Sequence, residues 1–256
     1  VAKKITFAFG RFNPVTIGHE VLMDKAASVG GKNYRIYISH SQDRKKNPLD
    51  FKTKLKYMRK IFPAHAKKIQ NSKMRTAIEV AVELHDEGYT DLIMIAGSDR
   101  VGEFQKLLDE YNGVDGKRHG FYKFDTIKVI SAGERDPDAE GASGMSASKM
   151  RGAAADDNFE LFQTGLPDTF AKTKDAKILF RTLQKAMGIK SFKEAVDEGV
   201  MMTAIKNKAY KLAAKYFIQF KKRGDNPAVA LHKAAGTVQG VNDKDLQVYL
   251  TKLKLL

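Results

Sequence analysis

Ile5-Thr6-Phe7-Ala8-Phe9-Gly10-Arg11-Phe12-Asn13-Pro14-Val15-Thr16-Ile17-Gly18-His19 reads as a strand, a glycine turn and the opening of a helix. Ile5 to Phe9 is a short β-branched and aromatic run of the kind that forms strands. From Gly18 to Ala27 the pattern is helical, so the turn between them delivers the chain to a helix N-terminus. Backbone N–H groups there point outward and carry a partial positive charge, and Gly18 lets an anion approach the backbone closely. Thr16 and His19 lie three residues apart, which allows both to face one phosphate. The chain contains neither GxGxxG nor GxxxxGK, so the dinucleotide fingerprint and the Walker loop are absent.

Outward from this segment the same unit repeats. Strands are expected at Tyr34 to Ser39, Leu92 to Ala96 and Thr126 to Ile130, with a weaker one near Lys67 to Gln70. Helices are expected at Asp50 to Ile61, Met74 to Glu87 and Val101 to Tyr111. Alternation of this kind predicts βαβ units and a doubly wound, Rossmann-like α/β fold around a parallel sheet. Ligands of such sheets gather at the carboxyl ends of the strands, where strand order reverses. Functional loops should therefore follow the strands.

Two further segments fit that place. Gly144-Met145-Ser146-Ala147-Ser148-Lys149-Met150-Arg151 combines hydroxyls that can cap a helix with an arginine one turn on, an arrangement suited to an anion. Ala96-Gly97-Ser98-Asp99-Arg100 follows the most hydrophobic strand. The segment Thr16-Ile17-Gly18-His19 resembles the (H/T)xGH signature of the nucleotidyltransferase superfamily, and Gly144 to Arg151 resembles its ISxSxxR element. Thr16 stands where many members have a first histidine. Met145 and Ala147 replace an isoleucine and a frequent serine. The resemblance covers roughly residues 3 to 167, and its part from Val101 to Leu166 is similar to cytidylyltransferase-like proteins of large tailed phages.

The resemblance implies transfer of a nucleoside monophosphate from ATP or CTP to a phosphorylated acceptor, with pyrophosphate released and no covalent enzyme intermediate. It implies that Thr16 and His19 hold the α and β phosphates and that Arg151 holds the leaving pyrophosphate. Gly10, Arg11, Phe12, Gly18, Gly97, Asp99, Ser146 and Ser148 are the expected nucleotide-binding residues. Asp99 has a second reading as a turn stabiliser. Arg44, Lys45 and Lys46, in the loop after the second strand, either hold the acceptor phosphate or form a solvated loop; His40 stands at that strand's end. His40, His65, His85, His119 and His232 show no HxH or HxxxH spacing, so no protein metal site is expected. The acidic run Glu134 to Glu140 reads as a metal cluster or as a solvated loop. Magnesium is expected to arrive with the triphosphate.

Charge divides the chain. Of the net +15, residues 171–256 hold 18 basic and 7 acidic residues, and residues 1–170 only 27 against 23. The strand signal stops near Thr173 and the remainder reads as helices. Ser191 with Glu194 forms a capping box, Gly224 ends a helix, and Asn226-Pro227 begins another. Within Thr203 to Arg223, Ile205, Ala209, Leu212, Tyr216 and Phe220 recur at helical spacing. The division expected is a nucleotidyltransferase domain at 1–170 and a smaller, basic, all-α domain at 171–256. Lysines of the second domain either dock an acidic partner, nucleic acid or a virion protein, or solubilise a packed cap. A rival function follows: a nucleic-acid-binding or virion component that keeps the nucleotide fold and acts through its tail. The chain has no cysteine, which excludes disulfides and thiolate chemistry. No apolar run reaches the roughly 18 residues of a membrane span, so no membrane partner and a cytoplasmic setting are expected. Homo-oligomerisation is left open.

Overall fold

The computed structural model describes residues 2–133, 145–189, 208–238 and 241–256. The acidic run at 134–140, Gly144, Ile205 and the Ser191/Glu194 box lie outside them. Contacts divide the chain into two units, Val1–Ile189 and Lys190–Leu256.

The first unit is built on four parallel strands, β1 (Lys4–Gly10), β2 (Tyr34–Ile38), β3 (Asp91–Ala96) and β4 (Thr126–Ser131), in the order β2-β1-β3-β4. Strand alternation sorts side chains to two faces. Ile5, Phe7, Leu92 and Met94 pack beneath α3 (Ala77–Asp86) and α4 (Val101–Glu110). On the opposite face, Ala8, Ile36, Ile93 and Ile95 pack with α1 (Ile17–Gly30) and α2 (Phe51–Ile61). The same core takes α5 (Ala147–Ala155), α6 (Phe159–Gln163), α7 (Asp168–Ala171) and α8 (Lys174–Ala186). All six residues of β3 are buried, as a central parallel strand requires. Strand order reverses between β1 and β3, which places the crevice at the ends of those two strands. The doubly wound, Rossmann-like fold is thus present. The weak strand at Lys67 to Gln70 amounts to a single bridge, Ile36 with Ile69, after the 3₁₀ turn Pro63–His65.

The unit boundary falls later than the expected residue 170. Thr173 caps α8 through the N–H of Ala176, and Ala176, Leu179, Phe180 and Leu183 form one apolar stripe that joins the sheet core. Helical periodicity shows that this face is buried but not which core receives it, so α8 reads from sequence as the start of the tail.

The second unit holds three described helices, α9 (Lys208–Lys222), α10 (Pro227–Thr237) and α11 (Asp243–Lys252). Gly224, at φ 96°, follows α9, and Asn226 caps α10 by accepting the Val229 N–H at 3.0 Å. Ala213, Ala214 and the larger Phe217 meet Ala230, Ala234 and Ala235, with Leu246 and Leu250 closing the cluster. This differs from the stripe expected through Leu212. Leu212 is 45% exposed, because the face of α9 turned to the other helices is that of Ala213, Ala214 and Phe217.

Candidate active site

β1 ends at Gly10 and the chain turns sharply. Phe12 adopts φ 47°, a left-handed conformation that a bulky residue seldom takes. Its ring sits beneath the turn, and a Cβ on Gly10 would lie 2.8 Å from Phe12 Cζ, so the strand must end in glycine. The peptide between Asn13 and Pro14 is cis. Asn13 is buried and its side chain pairs both ways with the backbone of Leu49, donating to its carbonyl and accepting from its N–H, each at 2.9 Å. The turn between β1 and α1 is thereby fixed to the loop that precedes α2.

Thr16 caps α1. Its backbone N–H donates to Nδ1 of His19 at 2.9 Å, which leaves the proton of a neutral ring on Nε2. The His19 ring also meets Phe12 edge-on, 5.0 Å between centroids. Thr16 itself is buried, 1% exposed, and does not line the cavity. Its hydroxyl lies 3.0 Å from His19 Nδ1, so the N-cap residue seats the His19 ring.

α5 reaches the same crevice. Ser146 Oγ accepts the Lys149 N–H at 2.9 Å as the N-cap. Arg151 donates to the Asn13 carbonyl at 2.7 Å and to Ser148 Oγ at 2.9 Å, so the two motifs, 138 residues apart, are joined by one guanidinium. Met145 is buried, as the isoleucine it replaces would be, and packs with Met150 against Gly165 so closely that a Cβ there would collide with both. Gly165 in turn accepts the Ile17 N–H at 2.9 Å.

One cavity of about 940 Å³ collects these parts. Gly10, Arg11, Phe12, Gly18, His19, Gly97, Asp99, Ser146, Ser148 and Arg151 all line it. The Asp99 carboxyl sits under Gly97, where a Cβ would come within 2.8 Å of it. Of the three loop cations, Lys46 lines the cavity and Arg44 and Lys45 do not. The cause is a tight turn in which Asp43 accepts the N–H groups of Lys45 and Lys46 and the side-chain amide of Asn47. These bonds, led by that of Lys46, hold the Asp43 carboxyl below the usual carboxylate range. His40 is also outside the cavity; its ring stacks on Phe51 and its Nε2 lies 2.8 Å from the Ser72 carbonyl oxygen.

Several lining residues carry no signal in the sequence reading: Asn13, Asn47, the apolar wall of Ile17, Val21 and Leu22, and the pair Ala132 and Gly133 beyond β4. Asn-Pro after a strand is a turn signal that could have drawn attention to Asn13. The others are brought in by strand order and by the register of β4 beside β3.

Electrostatics define what the cavity holds. Among the described residues, Arg11, Lys46, Arg100 and Arg151 line it with one carboxylate, Asp99, and Arg100 is paired outside the lining with Glu103 at 2.6 Å. Burial, and then the charge of Arg11, push the Arg151 guanidinium below its ordinary value, and Asp43 only partly offsets this. The neighbouring guanidiniums of Arg11 and Arg151 make a site that an anion stabilises. Gly18 is open toward that space: a Cβ would meet only Thr16 Oγ1, at an ordinary 3.6 Å. Gly18→Ala should therefore keep or slightly raise the melting temperature, since alanine favours the helix by up to about 1 kcal/mol. It should also weaken triphosphate binding about tenfold, or 1.4 kcal/mol. Calorimetric titration alongside thermal unfolding checks both; unchanged affinity would place the phosphates elsewhere.

Among solved structures, the chain is similar to a protein of Vibrio parahaemolyticus assigned as a nicotinate-nucleotide adenylyltransferase, at 15% identity and TM-score 0.43, covering 69% of this chain and 98% of that one. It is also similar to the nicotinic acid mononucleotide adenylyltransferase of Plasmodium falciparum complexed with NaAD, at 18% identity and TM-score 0.47, covering 71% and 98%. Comparison with curated protein sequences gives no match. The profile of the Cytidylyltransferase-like family matches residues 7–193, a span that holds every residue lining the cavity. On that match the chain belongs to the cytidylyltransferase-like family, and it is a nucleotidyltransferase.

Proposed function

We propose that the first unit moves a nucleoside monophosphate from ATP or CTP to a phosphate monoester. An oxygen of the acceptor phosphate attacks the α-phosphorus, the bond from that phosphorus to the bridging oxygen breaks, and pyrophosphate leaves carrying that oxygen. The observation that carries this reading is a cation-lined cavity at the sheet's switch point, in which Arg151 joins both motifs through the Asn13 carbonyl and Ser148. Such a site works by positioning and charge stabilisation. His19 donates from Nε2 to the transferring phosphate, Arg11 and Arg151 take the leaving pyrophosphate, and Lys46 takes the acceptor phosphate. Ser146 opens α5 toward the same anion, and Gly97 with Asp99 borders the nucleoside.

Magnesium fits this donor set as a companion of the triphosphate. Among the described residues, no group of three carboxylates or imidazoles suited to a metal occurs, and Asp99 is the single carboxylate lining the cavity. An ion held by one carboxylate and by substrate oxygens is ordinary for magnesium. When bound, it would neutralise charge on the phosphates. The test is a screen of ATP and CTP against phosphate monoesters, nicotinate mononucleotide among them, read as pyrophosphate release. No release from any pair would overturn the reading.

For the second unit a specific observation favours a docking role. α9 contains no acidic residue, and Lys211, Lys215, Lys221 and Lys222 on it are exposed. Asp225 is ion-paired with Lys233, while Asp243 meets His232 and Asp245 accepts from the Tyr210 hydroxyl and Asn242. We infer a nucleic-acid backbone as the partner. Affinity for DNA should fall steeply with salt, and changing the four lysines to glutamine should lower the log–log slope by about 3 to 4. A slope unchanged by the substitutions would leave the lysines as a solvated face. No helix among the described residues is long and apolar enough to cross a membrane.

A further inference from the structure

Lys54 breaks the local rules of its position. It lies in the first turn of α2, where the helix dipole disfavours a cation, and it is 1% exposed, where burial does so again. Burial lowers its pKa to about 8, with Asp50 opposing. A lysine kept where helix and core both reject its charge must be offset by specific partners. Those partners are two carbonyls at the end of β2. Nζ donates to the Ser39 oxygen at 2.5 Å and to the Ser41 oxygen at 3.5 Å. Ser39 also donates its N–H to the Gly10 carbonyl at 2.8 Å, so the chain held by Lys54 is bonded directly to the floor of the cavity.

From Ser39 the chain runs through the Asp43 turn to Leu49. The far end is held by Asn13 and the middle by Asp43. Lys46 and Asn47 stand between these anchors and line the cavity. We propose that Lys54 is a positioning residue: it fixes the start of the 39–49 loop against β1 and so sets where Lys46 and Asn47 meet the acceptor phosphate. The ammonium touches no ligand. It acts through the loop, and this assignment of the acceptor side rests on the function proposed above.

The test uses the full chain with Lys54→Met, which fills the same volume without the donor, and Lys54→Arg, which keeps a donor. Amide hydrogen exchange reads the loop without any ligand. Lys54→Met should speed exchange of the Ser41, Lys45 and Lys46 N–H groups at least tenfold while β1, β3 and α4 keep their protection, and Lys54→Arg should restore most of it. Calorimetric titration with nicotinate mononucleotide and, separately, with ATP reads the site. Lys54→Met should weaken the phosphate monoester about tenfold and ATP less than twofold. On a Lys46→Ala background the Lys54→Met loss should vanish, because residues acting through one contact are not additive. Equal weakening of both ligands, or full additivity with Lys46→Ala, would make Lys54 a general core residue and overturn the proposal. Unchanged loop exchange would overturn it as well. If wild-type protein bound neither ligand while the loop exchanged as expected, the proposed function would fail and the anchoring by Lys54 would stand. If Lys54→Met lost all cooperative unfolding, Lys54→Arg alone would decide: normal loop protection and ligand binding support the donor role, and their loss refutes it.

Discussion

His19→Ala and Arg151→Ala are each expected to lower nucleotidyl transfer about 10²- to 10³-fold, the usual cost of losing one preorganised donor at a centre of developing charge. His19 is held by Thr16 so that Nε2 carries the donor proton, and alanine removes that donor while leaving the backbone of the α1 turn in place. Arg151 carries a charge that burial and Arg11 already make costly, so an arriving polyphosphate gains from it what water would otherwise supply. Its loss also frees Asn13 and Ser148. The arginine variant should therefore show a larger fall in triphosphate affinity than the histidine variant, whose loss should lie mainly in kcat. Circular dichroism and melting temperature should remain near those of the wild type in both. Normal turnover of both variants, with the best pair from the substrate screen, would remove these residues from the reaction.

The second large effect concerns where the chain can be cut. A protein ending at Ile189 should fold and keep its triphosphate affinity, because every described residue that lines the cavity belongs to the first unit. A protein ending at Lys172 should not fold stably. Leu179, Phe180 and Leu183 are each at most 2% exposed, and burying side chains of this size contributes about 1.5–3 kcal/mol apiece. Their loss removes about 5–9 kcal/mol from a domain whose whole stability is about 5–15 kcal/mol. Gln184, which donates to the Ala154 carbonyl at 2.9 Å, is lost with them, and α5 with its Arg151 loses a supporting helix. Thermal unfolding and ATP titration of the two truncations separate the outcomes. A stable, ATP-binding chain ending at Lys172 would show that α8 is dispensable to the sheet core.

The interval between residues 170 and 189 illustrates how legible the chain is. The stripe Ala176, Leu179, Phe180 and Leu183 has helical spacing, but with the strand signal ending near Thr173 and basic residues prevailing beyond it, α8 reads from sequence as tail. Charge pattern follows solvent exposure on one face of a helix, whereas domain membership follows the core met by the other. The loop after β2 is a similar case. Arg44, Lys45 and Lys46 are equivalent as a string, but the Asp43 turn brings only Lys46 to the cavity.

What the sequence determined by itself is whatever neighbouring residues decide together. The strand runs of β1, β2 and β3, the glycine turn after β1, the caps at Ser146 and Asn226, and the two motifs whose residue types suit an anion all rest on interactions within a few residues. Only the tertiary structure decided which distant parts share a site. Asn13 bonds to Leu49 and receives Arg151, Ala132 and Gly133 arrive beside Gly97 through the β3–β4 pairing, and Lys54 anchors the start of the loop that carries Lys46. Such contacts depend on strand order and on the packing of helices far apart in the chain, where a polar group is kept by the partner it finds after folding.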